Sequence, residues 1–231
     1  MTGGSANRAP VIAVDGPGGT GKGTLCQLLA QRLDWRLLDS GALYRLVALA
    51  AGKRGIETTD EAALARLAGD MDFSFEPAPA GVEVWLDGEN VSGALRTEEC
   101  GSAASEIAAL PRVRVALLEA QLACRRPPGL VADGRDMGTV VFPDADLKIY
   151  LTASPEVRAE RRYKQLNAKG NSVTLAQLLA DITQRDSRDA QRDVSPLKPA
   201  SDAVVIDTTT LSIADVMREA QRLADERGLG S

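Results

Sequence analysis

Residues 11–24 read VIAVDGPGGTGKGT, and this stretch decides the fold of the chain. The β-branched run at its start predicts a short buried strand, and the apolar spacing that follows predicts a helix over 22–33. Between them, the segment from Gly16 to Lys22 fits the pattern G-x-x-x-x-G-K. Glycines in such a loop let backbone N–H groups turn inward, so that they and the helix N-terminus attract anions. The stretch therefore predicts a loop that binds the phosphates of a nucleoside triphosphate; an ordinary glycine-rich turn is the alternative.

The hydroxyl that usually follows the lysine of this motif is displaced by one residue. Gly23 follows Lys22, and the hydroxyl comes at Thr24. Because Mg²⁺ dehydrates reluctantly and keeps several waters, we expect ATP to bind with Mg²⁺ held mainly through waters and phosphate oxygens. The loop residues predicted to contact ATP are Gly16, Pro17, Gly18, Gly19, Thr20, Gly21, Lys22, Gly23 and Thr24.

Composition restricts the classes of function that the chain can have. Of its 231 residues, 44% are hydrophobic and 26% are charged, which is typical of a globular domain. The net charge of −5 argues against a nucleic-acid or membrane partner, and three widely spaced cysteines are typical of structural thiols in a reducing compartment. No signal peptide and no apolar run of membrane-helix length is recognised. We therefore expect a monomeric protein of the cytoplasm.

The absence of histidine excludes several catalytic mechanisms at once. With no histidine in the sequence, Ser-His-Asp and Cys-His nucleophilic catalysis, histidine metal sites and histidine general bases are ruled out. Transfer of a phosphoryl group to another phosphate needs none of these, because the acceptor oxygen is already largely ionised near neutral pH. The composition thus favours phosphoryl transfer by positioning and charge stabilisation.

Apolar strands alternate with helical stretches along most of the chain. This alternation predicts a three-layer α/β sandwich of the P-loop NTPase type, with a central parallel sheet whose carboxyl edge binds the ligands. The predicted strands cover residues 11–14, 36–38, 130–132, 147–151 and 203–206. The predicted helices of this core cover residues 22–33, 42–53, 155–169, 175–192 and 213–227.

One region interrupts this alternation. Alternating residues over 82–86, with turn sequences on either side, predict a small antiparallel β-hairpin. The helices predicted around it cover residues 60–69, 97–109 and 111–126. The predicted domains are a flexible N-terminus at 1–10, a P-loop core at 11–58 and 111–227, an insert at 59–110, and a short helical lid at about 155–195.

Polar residues gather where the second predicted strand ends, in the sequence LLDSGALYR at 37–45. The candidates there are Asp39, Ser40, Tyr44 and Arg45. A guanidinium group can clamp a phosphate with two hydrogen bonds, so Arg45 is predicted to hold the phosphate of an acceptor. The alternative is an ordinary helix cap, since Asp-Ser-Gly is common at such ends.

A second cluster follows the third predicted strand, in the sequence ADGRDMGTVVFP at 132–143. Asp133 ends the strand and is predicted to order the waters of Mg²⁺. Arg135 is predicted to contact phosphate, and Asp136 to accept a hydrogen bond from an exocyclic amine. A structural turn held by an Asp–Arg pair is the alternative.

Two arginine stripes mark the predicted lid. Helical spacing places each stripe on one face of its helix, and a polar segment at 167–172 joins the two helices. Such helices can close over a transferring phosphoryl group, which makes Arg161 and Arg188 candidate catalytic residues. Solvated helix faces with internal salt bridges are the alternative. The stripes are Arg158, Arg161 and Arg162, then Arg185, Arg188, Asp189 and Arg192.

Together these motifs resemble the bacterial cytidylate kinase (CMP/dCMP kinase) family of nucleoside monophosphate kinases. The resemblance runs from residue 11 to the helix after residue 207. It implies transfer of a phosphoryl group from ATP to CMP or dCMP, giving ADP and CDP or dCDP. The matching segments are GPGGTGKGT, LLDSGALYR, VEVWLDGENVSGALRT, PRVR, ADGRDMGTVVFPDA and RDSRD.

The resemblance also implies a contact for each part of the substrate. The arginines implied at the CMP phosphate are Arg45 and Arg135, with Arg192 near the transferred group. The residues implied around the cytosine are Ser40, Ser105, Arg114 and Asp136. Those implied at the ribose are Arg185 and Asp189. Two other functions stay open from the residues alone, namely a P-loop kinase for another acceptor and a nucleotide-dependent switch that hydrolyses ATP slowly.

Overall fold

The computed structural model describes residues 8–78, 81–168 and 173–230. The chain divides into two compact units, here called the sheet unit (residues 1–39 and 121–231) and the insert unit (residues 40–120). The predicted flexible N-terminus therefore lies largely outside the described residues, as do residues 79–80 of the predicted turn and residues 169–172 of the polar segment. In the described part of the chain, no helix combines the length and the apolar character needed to cross a membrane.

The sheet unit is built on a five-stranded parallel sheet with the order β2-β6-β1-β7-β8. The α/β fold with a central parallel sheet is confirmed. Because all five strands run the same way, their carboxyl ends meet at one edge, and the glycine-rich loop follows the central strand there. The strands are β1 (Val11–Asp15), β2 (Arg36–Asp39), β6 (Leu130–Gly134), β7 (Leu147–Thr152) and β8 (Val204–Asp207).

Buried side chains on both faces of β1 explain why this strand is central. Ile12 and Val14 belong to a core cluster with apolar residues of two helices, α1 and α8. Val11 and Ala13 point to the other face and are also fully buried. The helices of the sheet unit are α1 (Lys22–Leu33), α6 (Pro155–Asn167), α7 (Leu175–Ala190) and α8 (Ile213–Glu226).

Hydroxyl side chains begin three of these helices. Ser154, Thr174 and Ser212 each accept a hydrogen bond from a backbone N–H in the first turn of α6, α7 and α8. Each cap satisfies a donor that the helix itself cannot. The caps agree with the predicted helix starts at residues 155, 175 and 213.

The insert unit contains the predicted antiparallel hairpin, extended to three strands in the order β3-β4-β5. It also holds more than the insert predicted at 59–110, because it begins at residue 40 and ends at residue 120. Its strands are β3 (Phe73–Ala78), β4 (Gly81–Leu86) and β5 (Glu89–Asn90). Its helices are α2 (Ser40–Lys53), α3 (Glu61–Asp70), α4 (Glu98–Ile107) and most of α5 (Pro111–Ala123).

The sequence did not predict the π-helical turn that follows β6. After β6 the chain forms a π-helical turn over Met137–Val141, with the N–H of Val141 donating to the carbonyl of Asp136 at 3.2 Å. The local sequence contains no cap for this turn. Its first N–H groups donate instead to a carboxylate from β1, which explains how so short a π-helical segment persists.

Candidate active site

The glycine-rich loop lies between β1 and α1, as the sequence predicts. Gly16 has a φ of 141°, and a Cβ added there would overlap the carbonyl oxygen of Leu151. Gly21 caps α1 with a φ of 96°. Both positions therefore require glycine, because other residues rarely adopt these backbone angles and Gly16 has no room for a side chain.

Side chains hold the carbonyl groups of this loop. Lys22 donates from Nζ to the carbonyl of Pro17 at 2.8 Å, and Thr20 donates from Oγ1 to the same oxygen at 3.1 Å. Lys22 is buried, and both desolvation and the nearby Arg135 lower the pKa of its ammonium group. The lysine is thus folded back onto its own loop, at the point where a phosphate would be bound.

Two carboxylates meet at the carboxyl edge beside the loop. Asp39 ends β2 and is the register partner of Asp133 on β6. A Cβ added at Gly23 would lie 3.5 Å from Oδ2 of Asp133, so this carboxylate sits next to the first turn of α1. Burial raises the pKa of Asp133, and the charge of Asp39 raises it further while Lys22 lowers it. Asp133, the residue predicted to order Mg²⁺ waters, therefore lies beside the start of α1, with the predicted substrate residue Asp39 on the neighbouring strand.

Asp15, the last residue of β1, is the carboxylate that caps the π-helical turn. It accepts hydrogen bonds from the N–H groups of Met137 and Gly138, each at 2.8 Å. Burial raises its pKa from 3.8 to about 6, although these two hydrogen bonds act in the opposite direction. The charge of Asp136 raises the pKa further and that of Lys22 lowers it.

Three of the predicted substrate residues contact one another in the sheet unit. Asp189 on α7 accepts hydrogen bonds from Nε of Arg135 at 3.2 Å and from Nη2 of Arg192 at 2.5 Å. The side chain of Asp189 is 2% exposed and that of Arg192 is 4% exposed, so this is a buried network rather than a surface pair. A buried carboxylate between two guanidinium groups orients both of them.

Arg158 on α6 joins the loop to the lid helix α7. Its guanidinium group donates to both carboxylate oxygens of Asp186, at 3.1 and 2.5 Å. It also donates to the carbonyl of Gly18 in the loop at 3.2 Å and, through Nε, to that of Ala153 at 3.0 Å. With 2% of its surface exposed, Arg158 does not fit the alternative of a solvated helix face.

Arg161, one turn further along α6, binds the end of β8. It donates to the carbonyl of Thr208 at 2.6 Å and to the hydroxyl of Thr208 at 3.1 Å. That hydroxyl in turn lies 3.1 Å from the carbonyl of Thr20 in the loop. Arg161 is therefore linked to the phosphate loop by hydrogen bonds through a single residue, Thr208. Arg162, the next residue of α6, donates from Nη1 to its helix neighbour Gln165 at 3.3 Å.

The remaining lid candidates lie on α7. Arg185 and Arg188 are half-buried and share the helix with Asp189. Spacing of three and four residues places the three side chains along one side of the helix.

The insert unit holds the other predicted substrate residues. Arg45 on α2 donates to the carbonyls of Leu95 at 2.6 Å and Thr97 at 3.4 Å. Arg114 on α5 lies over the ring of Tyr44, 5.9 Å from its centroid, in a cation–π contact. Ser40 and Ser105 are buried in the same unit.

Sequence reasoning missed four residues with clear positions at the site. Asp15 and Thr208 stand at or just after the carboxyl ends of strands, where parallel sheets collect functional groups, and that placement was a usable signal. Arg158 was grouped with the lid but given no role of its own. Its partner Asp186 carried no local signal, because the two residues are 28 positions apart.

Comparison with known proteins gives consistent matches over nearly the whole chain. The family model for cytidylate kinase matches residues 12–226. A cytidylate kinase of Aeromonas hydrophila is 57% identical over 219 residues, which cover 95% of each chain. A cytidylate kinase of Stutzerimonas stutzeri is 58% identical and covers 94% of each chain. The solved structure of an uncharacterized protein from Eubacterium ventriosum has a TM-score of 0.51 at 9% identity, over 95% of this chain and 99% of that chain, which is a likeness of fold alone.

Proposed function

The chain belongs to the cytidylate kinase family, and we propose that it transfers the γ-phosphoryl group of ATP to CMP or dCMP, giving ADP and CDP or dCDP. One observation carries this proposal beyond the family match. The sheet unit combines a phosphate-binding loop with the buried network of Arg135, Asp189 and Arg192. A loop alone would serve any nucleotide-binding protein, whereas additional guanidinium groups suit a second ligand that carries phosphate.

On the donor side, the loop from Gly16 to Thr24 binds the phosphates of ATP. Lys22 leaves the carbonyl of Pro17 and moves its ammonium group to the β- and γ-phosphates, which replace that carbonyl as its acceptor. Its buried position makes the charge effective, because little water screens it. Charge stabilisation by Lys22 is the main contribution of the loop to the rate.

On the acceptor side, Arg45 and Arg135 bind the phosphate of the monophosphate substrate, and Arg192 acts near the transferred group. Arg161 and Arg188 add positive charge from the two lid helices. Asp189 and Arg185 bind the ribose. In this proposal the arginines exchange their present acceptors, such as Asp189 for Arg135, for phosphate oxygens.

Asp136 selects cytosine. The family resemblance also implies contacts with the base for Ser40, Ser105 and Arg114. The carboxylate accepts a hydrogen bond from the 4-amino group of cytosine. Uracil carries a carbonyl at this position, which would place a second acceptor against the carboxylate where cytosine places a donor. Asp136 is 4% exposed, so such a mismatch is costly.

Mg²⁺ accompanies ATP in this proposal. Among the described residues, no group of three or more acidic or cysteine side chains is arranged to hold a metal ion. The carboxylate of Asp133 beside Gly23 fits an ion that keeps its waters and binds phosphate oxygens, with Asp39 as a neighbouring acceptor for those waters. When bound, the ion neutralises charge on the β- and γ-phosphates.

We also propose that the enzyme acts as a monomer in the cytoplasm, without nucleic-acid partners. The net charge of −5 supports the absence of nucleic acid, and Cys26, Cys100 and Cys124 all carry free thiols. Size-exclusion chromatography with light scattering tests the oligomeric state; a mass of twice 24.4 kDa would contradict the monomer.

The test of the function is a coupled ADP-release assay with ATP and Mg²⁺, run in parallel with CMP, dCMP, UMP and AMP. We expect turnover that depends on CMP or dCMP and is far weaker with UMP and AMP. A preference for another acceptor would keep the phosphoryl-transfer mechanism and contradict the roles given to Ser105, Arg114 and Asp136. ADP release without any acceptor dependence would instead indicate a nucleotide-dependent switch.

A further inference from the structure

Asp15 connects two parts of the sheet unit that the proposed reaction uses separately. It is the last residue of β1 and directly precedes Gly16, the first residue of the phosphate loop. Its side chain is buried, with 4% exposed. Oδ1 accepts from the N–H of Met137 and Oδ2 from the N–H of Gly138, both at 2.8 Å. These bonds span more than 120 positions of sequence.

Asp15 binds the first two N–H groups of the π-helical turn, and two proposed substrate residues directly precede this turn. Arg135 and Asp136 stand between the end of β6 and the π-helical turn. Asp136 occupies the cap position of this turn, but its own side chain does not cap it. The cap is supplied by Asp15 from the neighbouring strand, so the orientation of the residues before the turn depends on a distant carboxylate.

The turn is packed closely against this carboxylate. A Cβ added at Gly138 would lie 3.4 Å from Oδ2 of Asp15 and 3.1 Å from Cδ of Lys148. Lys148 also donates to the carbonyl of Pro143 at 2.7 Å, beyond the other end of the turn. Asp15 therefore holds the start of the turn, and Lys148 holds the chain just beyond its end.

We propose that Asp15 is a positioning residue for acceptor recognition: it holds Arg135 and Asp136 in register with the phosphate loop. This inference rests on the roles proposed above for those two residues. A carboxylate is required because it offers one acceptor to each of two adjacent N–H groups. An asparagine offers one acceptor and one NH₂ group, so one of the two N–H groups would face another donor.

The test compares Asp15→Asn with Asp146→Asn. Asp146 is the matched control, because its Oδ2 accepts from the N–H of Val11 at 2.8 Å, at the opposite end of the same strand. For both variants we would measure kcat and KM with CMP and with UMP, the Kd for ATP and the melting temperature. For Asp15→Asn we expect kcat/KM for CMP to fall about 10- to 100-fold and the CMP-to-UMP preference to fall at least about 5-fold, with the Kd for ATP within about 3-fold. Asp146→Asn should leave the preference unchanged.

A second variant covers the case in which Asp15→Asn does not fold. Gly138→Ala keeps the carboxylate but adds a methyl group 3.1 Å from Cδ of Lys148 and 3.4 Å from Oδ2 of Asp15. We expect this crowding to move the start of the turn and to lower the CMP-to-UMP preference in a folded protein. If Asp15→Asn or Gly138→Ala lowers only the melting temperature and leaves the preference unchanged, Asp15 is a structural residue and the positioning role is overturned. The same assays test the proposed function separately, because a wild-type enzyme that does not discriminate CMP from UMP would overturn that function itself.

Discussion

In the phosphate loop, backbone angles fix the shape of the proposed phosphate site. Around α6 and α7, by contrast, pairing with aspartates fixes the positions of the guanidinium groups. The loop depends on Gly16, whose backbone angle and lack of space admit no other residue. On α6, Arg158 is held by Asp186 of α7, while Asp189 of α7 holds two arginines outside the helices, Arg135 after β6 and Arg192 after α7. A backbone site is preformed, while a paired guanidinium group must exchange one acceptor for another when a ligand arrives.

This difference predicts different consequences of mutation in the two regions. A change at Lys22 removes the ammonium group that we propose binds the β- and γ-phosphates, so the rate falls directly. A change on α6 or α7 removes an arginine and also leaves its carboxylate or carbonyl without a donor. Measuring rate and stability together therefore separates the two regions.

The largest effect is expected for Lys22→Met. Loss of the ammonium group removes charge stabilisation in the transition state, and kcat should fall on the order of 10²- to 10⁴-fold. Methionine keeps an apolar stem of similar length at this buried position, so the fold should survive. Steady-state kinetics and a thermal melt measure the two quantities. A kcat near that of the wild type would show that the loop does not act as described.

Asp136→Ala tests the choice between acceptors instead of the rate of transfer. Alanine removes the acceptor for the 4-amino group and also the penalty against uracil, so the CMP-to-UMP ratio of kcat/KM should narrow by on the order of 10- to 1000-fold. The measurement is the ratio for each acceptor at saturating ATP. An unchanged ratio would remove Asp136 from base recognition.

Arg161→Ala and Arg188→Ala test the helices. We expect each to lower kcat by on the order of 10- to 100-fold, with a smaller effect on the free energy of unfolding. Arg218→Ala on α8 is the control, because its guanidinium group is exposed and pairs with Asp215 on the same helix. Normal turnover in both test variants would favour structural roles, which for Arg161 would be the contact with Thr208.

Local patterns predicted the first region far better than the second. The strand, loop and helix over 11–33 were predicted almost to the residue, because β-branched runs, glycine spacing and apolar periodicity are all read within one short window. Asp39 and Asp133 were each predicted at the carboxyl edge of a parallel sheet, whereas their register as partners depends on the strand order and was not predicted. The fold as a whole could be predicted because its strands and helices also follow from local patterns.

Hydrogen bonds and ion pairs between side chains far apart in the sequence could not be predicted in this way. The sequence suggested few acids to match the arginines of α6, yet Arg158 binds Asp186 on the next helix. The π-helical turn was missed because its cap, Asp15, lies more than 120 positions away. Such contacts depend on how elements pack, which a periodic pattern does not encode.

The smallest effect is expected in the dependence of stability on pH, and it concerns the buried carboxylate that precedes the loop. Asp15 is held by neutral N–H groups, and burial raises its pKa to about 6 in the folded state from 3.8. Between these values the folded protein keeps a proton that the unfolded chain has lost, so the free energy of unfolding decreases as pH rises from about 4 to about 6. The contribution of this one group changes the folding equilibrium by at most about tenfold per pH unit.

Denaturant unfolding of the wild type and of Asp15→Asn at a series of pH values isolates this contribution. The difference in free energy of unfolding, wild type minus variant, should fall with pH across that window and become flat above about pH 7. Asp207→Asn is the control of opposite sign, because hydrogen bonds from Thr209 lower the pKa of the Asp207 carboxyl and its contribution should increase with pH. A difference for Asp15→Asn that rises with pH would mean that its two N–H donors outweigh burial and stabilise the charged form of the carboxyl in the folded state.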